Sequence, residues 1–173
     1  MNLNKYTHHL LTFLPATILI GLISVASVYA ASTGTVTATV TAQNISVSVS
    51  DGSVAYGTVA LSSSSDTTSS GVNDSQTATN DGNITETFNI KDAGTTAAWT
   101  IAGTVGADNY KHEFCTTTCD STPSWTALTA NYQTLAASVS TSGTQVFDLK
   151  LNTPTSSSSY TQQSLTVTVQ ATQ

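Results

Sequence analysis

The chain has 173 residues, with four lysines, no arginine, ten acidic residues and a formal net charge of −6 at pH 7. Only 8 % of residues are charged, where an ordinary soluble domain carries about 25 %. Without a basic patch there is no electrostatic footprint for nucleic acid, and the weak surface field is a poor steering device for any charged partner.

Residues 1–30, "MNLNKYTHHLLTFLPATILIGLISVASVYA", place Lys5 ahead of an apolar run from Leu10 to Val28. Val28 and Ala30 then stand where a signal peptidase reads small residues, so the expectation is an N-terminal hydrophobic signal helix cleaved after Ala30. The run is about 19 residues, just enough to span a bilayer, which keeps a retained membrane anchor as the alternative. On either reading residues 31–173 lie outside the cytoplasm, secreted or at the cell surface, with membrane contact only through an uncleaved leader.

The exported part opens with "TGTVTATVTA", in which Thr alternates with Val36, Ala38, Val40 and Ala42. That period of two predicts a half-buried strand. Gln43-Asn44 shifts the phase, and Ile45, Val47 and Val49 follow at odd positions. A one-residue slip turns the apolar face over, so the chain must bulge there or cross between sheets. Asp51-Gly52 predicts a hairpin turn, and "VAYGTVAL" a strand broken in phase at Gly57.

A long polar loop, "SSSSDTTSSGVNDSQTATNDGN", holds a short strand near Gln76 to Thr79 and a turn at Asp81-Gly82. "ITETFNIK" turns Ile84, Glu86, Phe88 and Ile90 inward, and "AWTIAGTV" does the same with Trp99 and Ile101. "YKHEF" sets Tyr110, His112 and Phe114 against Lys111 and Glu113. "TLAASVS", "QVFDLKL" and "SLTVTVQAT" complete the set. Eight to ten short strands with no helical periodicity beyond the leader predict one antiparallel β-sandwich over residues 31–173, immunoglobulin-like or jelly-roll in connectivity.

The stretch "GSVAYGTVALSSSSDTTSSGVNDSQTATNDGNITETFNIK" resembles immunoglobulin-like modules of prokaryotic surface proteins, with their Asn-x-Gly-Asn turn in "TNDGNITETFNI". "SYTQQSLTVTVQAT" is similar to their closing strand. The resemblance implies a secreted or cell-envelope protein and brings no catalytic residues. In architecture alone, a small sandwich behind a leader and a free alternating strand is similar to subunits of extracellular fibres.

Cys115 and Cys119 bracket "TTT". In an extended strand they would lie about 13 Å apart, too far for a bond, so a disulfide in an exported chain requires a turn at this point. The rival is a metal site from His112, Cys115, Cys119 and Asp120, whose spacing matches no zinc pattern. Asp74 and Asp81 sit in Asx-rich turns, the ordinary use of such residues, with calcium as the competing reading. No metal or cofactor is expected.

Candidate glycosylation sequons start at Asn44, Asn73 and Asn83. Catalytic material beyond the leader is sparse: one histidine, His112, two glutamates, Glu86 and Glu113, and no G-x-S-x-G elbow. The chain is therefore expected not to be an enzyme. Glu86, inward in phase, is either an acid at the open end of the sandwich or a buried acid promoting a Lys–Asn cross-link.

The function these features point to is a structural cell-envelope protein, either a surface-layer component or a subunit of an extracellular filament. In the filament, residues 31–42 act as a donor strand, with Thr35, Val36, Ala38, Val40 and Ala42 as its candidate residues, Thr at outer and Val or Ala at inner positions, and Gln43-Asn44 as hinge. The competing arrangement closes one sheet of the same subunit with this strand. A secreted adhesion or glycan-binding module is the alternative function, with Trp99, Trp125, Tyr110 and Tyr132 as aromatic candidates; inward aromatics are usually core, which leaves Trp125, beside Pro123 in a loop, as the one to test. Expected partners are further copies of the chain, or a glycan or cell-surface molecule.

Overall fold

A computed structural model describes residues 33–173. The expected leader, residues 1–30, and the first residues of the expected donor strand lie outside the described residues. The chain divides between Thr39 and Val40, and all ten strands fall in the unit Val40–Gln173.

The fold is all-β, with two sheets sharing one core. The strands are β1 (Val47–Val49), β2 (Ser64–Asp66), β3 (Gln76–Asn80), β4 (Glu86–Asp92) and β5 (Thr100–Ile101), followed by β6 (Asn109–Cys115), β7 (Thr126–Ala127), β8 (Gln133–Val139), β9 (Thr144–Asn152) and β10 (Val167–Thr172). The larger sheet runs β1-β3-β9-β6-β5, with β2 also on β9 and β7 on β6; the smaller is β10-β4-β8. All pairings between these strands are antiparallel except β5 on β6.

Alternation makes the core. Phe88 and Ile90 on β4 are 0 % exposed, and they meet Phe114 of β6, Leu135 and Val139 of β8, and Phe147 and Leu149 of β9. Each such side chain removed from water contributes roughly 1.5–3 kcal/mol before conformational entropy is charged against it. β4 is central in its sheet, so both its edges are paired and its even-numbered side chains are fully covered.

Two expected strands are absent. Residues 33–42 carry no strand, and Val40 is 95 % exposed. Alternation gives a segment a face to bury, but a strand also needs a neighbour to complete its backbone hydrogen bonds. "VAYGTVAL" likewise forms no strand, although Val54 and Tyr56 pack against the core. Asp51 and Gly52 do turn, both at positive φ (64° and 70°), without joining two paired strands. The short strand near Gln76 is present, whereas Asp81-Gly82 links β3 and β4 in different sheets.

Candidate functional site

The phase break at Gln43-Asn44 is a fastened point. The Asn83 side-chain amide donates to the Ala42 carbonyl and accepts from the Asn44 N–H, both at 2.8 Å. The Asn83 backbone N–H donates to the Asn44 carbonyl at 3.1 Å, and the Asp81 N–H donates to that of Ser46 at 2.9 Å. Glu86 Oε1 accepts from the Ser46 N–H at 2.9 Å. Gly82 is required where it stands, because a Cβ there would collide with the Asn44 carbonyl and with Glu86.

Glu86 is buried, as its phase requires, with Oε2 lacking a hydrogen-bond partner among the described residues. The Lys–Asn cross-link is not assembled around it. Lys91 Nζ lies over the Tyr132 ring, Lys111 pairs with Glu113 at 2.6 Å, and Lys150 Nζ lies over the Trp125 ring.

A cleft of about 1090 Å³ opens on one side of the Val40–Gln173 unit. Its floor includes Phe147, Leu149 and Leu151 of β9 with Val167 and Val169 of β10; its walls are residues 52–61 and 159–165. Among the described residues, no Asp, Glu, Lys or Arg lines it. Val167 and Val169, although packed on the core, stay half-exposed. β10 ends its sheet with its outer edge unpaired among the described residues. There, too, backbone–backbone hydrogen bonds reach none of residues 54–61 or 160–165.

Beneath the 52–61 wall lies a polar network that phase alone only half revealed. His112 and Asp92 are each 1 % exposed. His112 Nδ1 meets Asp92 Oδ2 at 2.8 Å, and Nε2 meets the Tyr56 hydroxyl at 3.0 Å. Tyr110 donates its hydroxyl to Asp92 Oδ1, which also accepts from the Gly94 N–H at 2.8 Å. Burial works to raise the Asp92 pKa, but hydrogen bonds from His112, Tyr110 and Gly94 outweigh it and hold the carboxyl below the usual range.

Burial, reinforced by the Asp66, Asp92, Asp74 and Asp148 carboxylates, pushes the Tyr56 phenol far above its ordinary value. Burial and the contact with Asp92 push Tyr110 up as well. An acid, a histidine and a hydroxyl in a row have the outline of a nucleophile relay. The contact of the Tyr56 hydroxyl with His112 ties the 52–61 wall to β6.

Cys115 and Cys119 form a disulfide where β6 ends, with Cα atoms 5.9 Å apart. That removes both cysteines from the His112–Asp120 metal option. Asp120 instead accepts from the Ser69 N–H at 2.6 Å. No group of three or more His, Cys, Asp or Glu residues gathers as a metal site among the described residues.

Of the aromatics, Tyr110 is core and Trp99 is half-buried, its Nε1–H donating to Ser157 at 2.8 Å. Tyr132 is 40 % exposed beneath Lys91. Trp125 is half-buried, with Lys150 Nζ 5.6 Å from its ring centroid. Asn44, Asn73 and Asn83 are all exposed, and Asn83 alone among them spends its side-chain amide on the described backbone. Comparison of the chain with protein-family models, with curated proteins and with solved structures finds no match.

Proposed function

We propose that the protein is a non-enzymatic structural component of the cell envelope, exported by its leader and assembled into an extracellular filament by β-strand addition. The observation that carries this is the state of residues 33–42. Their alternation gives a complete apolar face, yet they carry no strand, and Val40 is almost fully exposed. An apolar strand face left in water is stabilised when a neighbouring sheet edge supplies hydrogen bonds and pockets together. Because donor and acceptor are different surfaces, the contact is head-to-tail and propagates.

Other features agree with this reading. The disulfide suits an oxidising compartment. β3 and β4 lie in different sheets, as do β9 and β10, and such crossings support the immunoglobulin-like module. The adhesive alternative is less favoured, since the ring face of Trp125 that would stack on a sugar is shared with Lys150.

Electron microscopy and sedimentation of residues 31–173 test the proposal. Filaments that survive dilution are expected, and their loss on deletion of residues 31–42. A synthetic peptide of that segment then raises the melting temperature of the deleted protein, by about 2.7 kcal/mol of added stability at a hundredfold excess over its Kd. A parent chain that stays monomeric at high concentration overturns the reading.

A further inference from the structure

We infer that the acceptor for the donor strand is the cleft between residues 54–61 and the β10 edge, and that its occupant is residues 33–42 of a second copy. This rests on the strand-addition reading above and adds the site to it.

Three independent properties of the cleft select this occupant. The first is backbone. Among the described residues the 54–61 and 160–165 walls have no backbone–backbone hydrogen bonds, side chains take only the Ala60 carbonyl and the Thr161 N–H and carbonyl, and β10 continues the second wall with an unpaired edge. An added strand is the one kind of ligand that satisfies such groups in series. The edge strands of the larger sheet are only two or three residues long (β1, β2, β5 and β7), and the longer β8 edge of the smaller sheet contributes no residue to the cleft.

The second property is the floor. Val49, Val167 and Val169 face the core yet remain half-exposed, while Phe88 and Ile90 at the paired centre of the same sandwich are 0 % exposed. A core open along one side lacks a row of side chains at strand spacing. Val36, Ala38, Val40 and Ala42 form such a row, repeating every 6.6–6.8 Å or so. Their small size suits entry over a floor already crowded by Phe147, Leu149 and Leu151.

Charge is the third. Neither the cleft lining nor residues 33–42 contains an Asp, Glu, Lys or Arg. Insertion therefore desolvates no ion on either side, whereas a charged peptide would have to leave one unpaired in the cleft. The Thr residues at odd positions of the segment face solvent in this arrangement.

The test is site-specific photo-cross-linking of the whole mature chain, residues 31–173. Benzoylphenylalanine at Thr39, on the polar face of the donor, leaves the apolar row intact. Labelled and unlabelled chains are assembled together from a mixed denatured pool, so that a cross-link between copies carries both isotopes. The expected result is mixed-isotope cross-links to residues 54–61 and 160–169. Mixed-isotope cross-links to β8 or β5 instead overturn the cleft as acceptor while leaving strand addition in place. Cross-links confined to single chains, or none with monomers in sedimentation, overturn both.

Discussion

The side-chain amide of Asn83 grips the backbone on either side of Gln43, donating to the Ala42 carbonyl and accepting from the Asn44 N–H at 2.8 Å each. The apolar alternation that ends at Ala42 therefore stops at a clamp. All ten strands lie after the clamp, and the phase change at Gln43-Asn44 marks the boundary.

Asn83→Ala is expected to cost about 1 kcal/mol, because the bonds are exposed and water replaces them. Hydrogen exchange at the Asn44 amide should accelerate while the β4 amides stay protected. In a host that N-glycosylates, Asn73 and Asn44 should accept sugar and Asn83 should not, since a glycan on its nitrogen disrupts the clamp. Peptide mapping by mass spectrometry reads the occupancy.

Asp92→Asn should destabilise the protein by roughly 2–3 kcal/mol at neutral pH, the range for hydrogen bonds to a buried charged group. The native Asp92 pKa lies below its unfolded value. Its contribution is thus fully present above the ordinary carboxylate pKa of about 3.9 and fades as pH falls through the lower native value. Urea unfolding of both proteins at pH 7 and at pH 2.5 should show the difference shrinking in acid. A difference that grows in acid would mean that Asp92 is not held as the anion.

Reducing the Cys115–Cys119 bond closes no long loop, so the loop-entropy loss is only about 2 kcal/mol. The unreduced protein should show no reactive thiol, and reduction should lower the melting temperature without unfolding the sheets at room temperature. Near-identical circular dichroism before and after reduction checks the second point.

Chelation should leave the melting temperature unchanged. The carboxylates read as possible calcium ligands are otherwise engaged or isolated: Asp74 accepts from Gln76 at 3.1 Å, and Asp81 is exposed in its turn. A melting temperature that falls with chelator and recovers with calcium would contradict this.

The strands that phase located well are those paired on both sides or facing the core fully. In β4, Glu86, Phe88 and Ile90 are all buried as their even numbering requires, and Asp92 extends the series. In β6, Tyr110, His112 and Phe114 are buried in the same way, but Glu113, expected outward, is buried as well, held by Lys111 and Asn152. Tyr110 and His112, inward in phase on β6, were the legible half of the polar network; Asp92, which comes from β4 in the opposite sheet, and Tyr56, from a segment without regular structure, were not. "VAYGTVAL" and "TGTVTATVTA" have the alternation of strands and lack a partner. Pairing is a tertiary property, so period two distinguishes a face to be buried without saying what buries it. The parallel β5–β6 pairing and the Asn83 clamp left no local signal beyond an Asn and a Gly in a turn.

Hydrogen exchange resolved by assembly state tests strand addition most directly. Protein of residues 31–173 is separated into polymer and monomer fractions, and the amides of residues 35–42 are followed by mass spectrometry after a deuterium pulse. Strand addition predicts protection of these amides in the polymer and free exchange in the monomer. Protection in the monomer, or free exchange in the polymer, would contradict it.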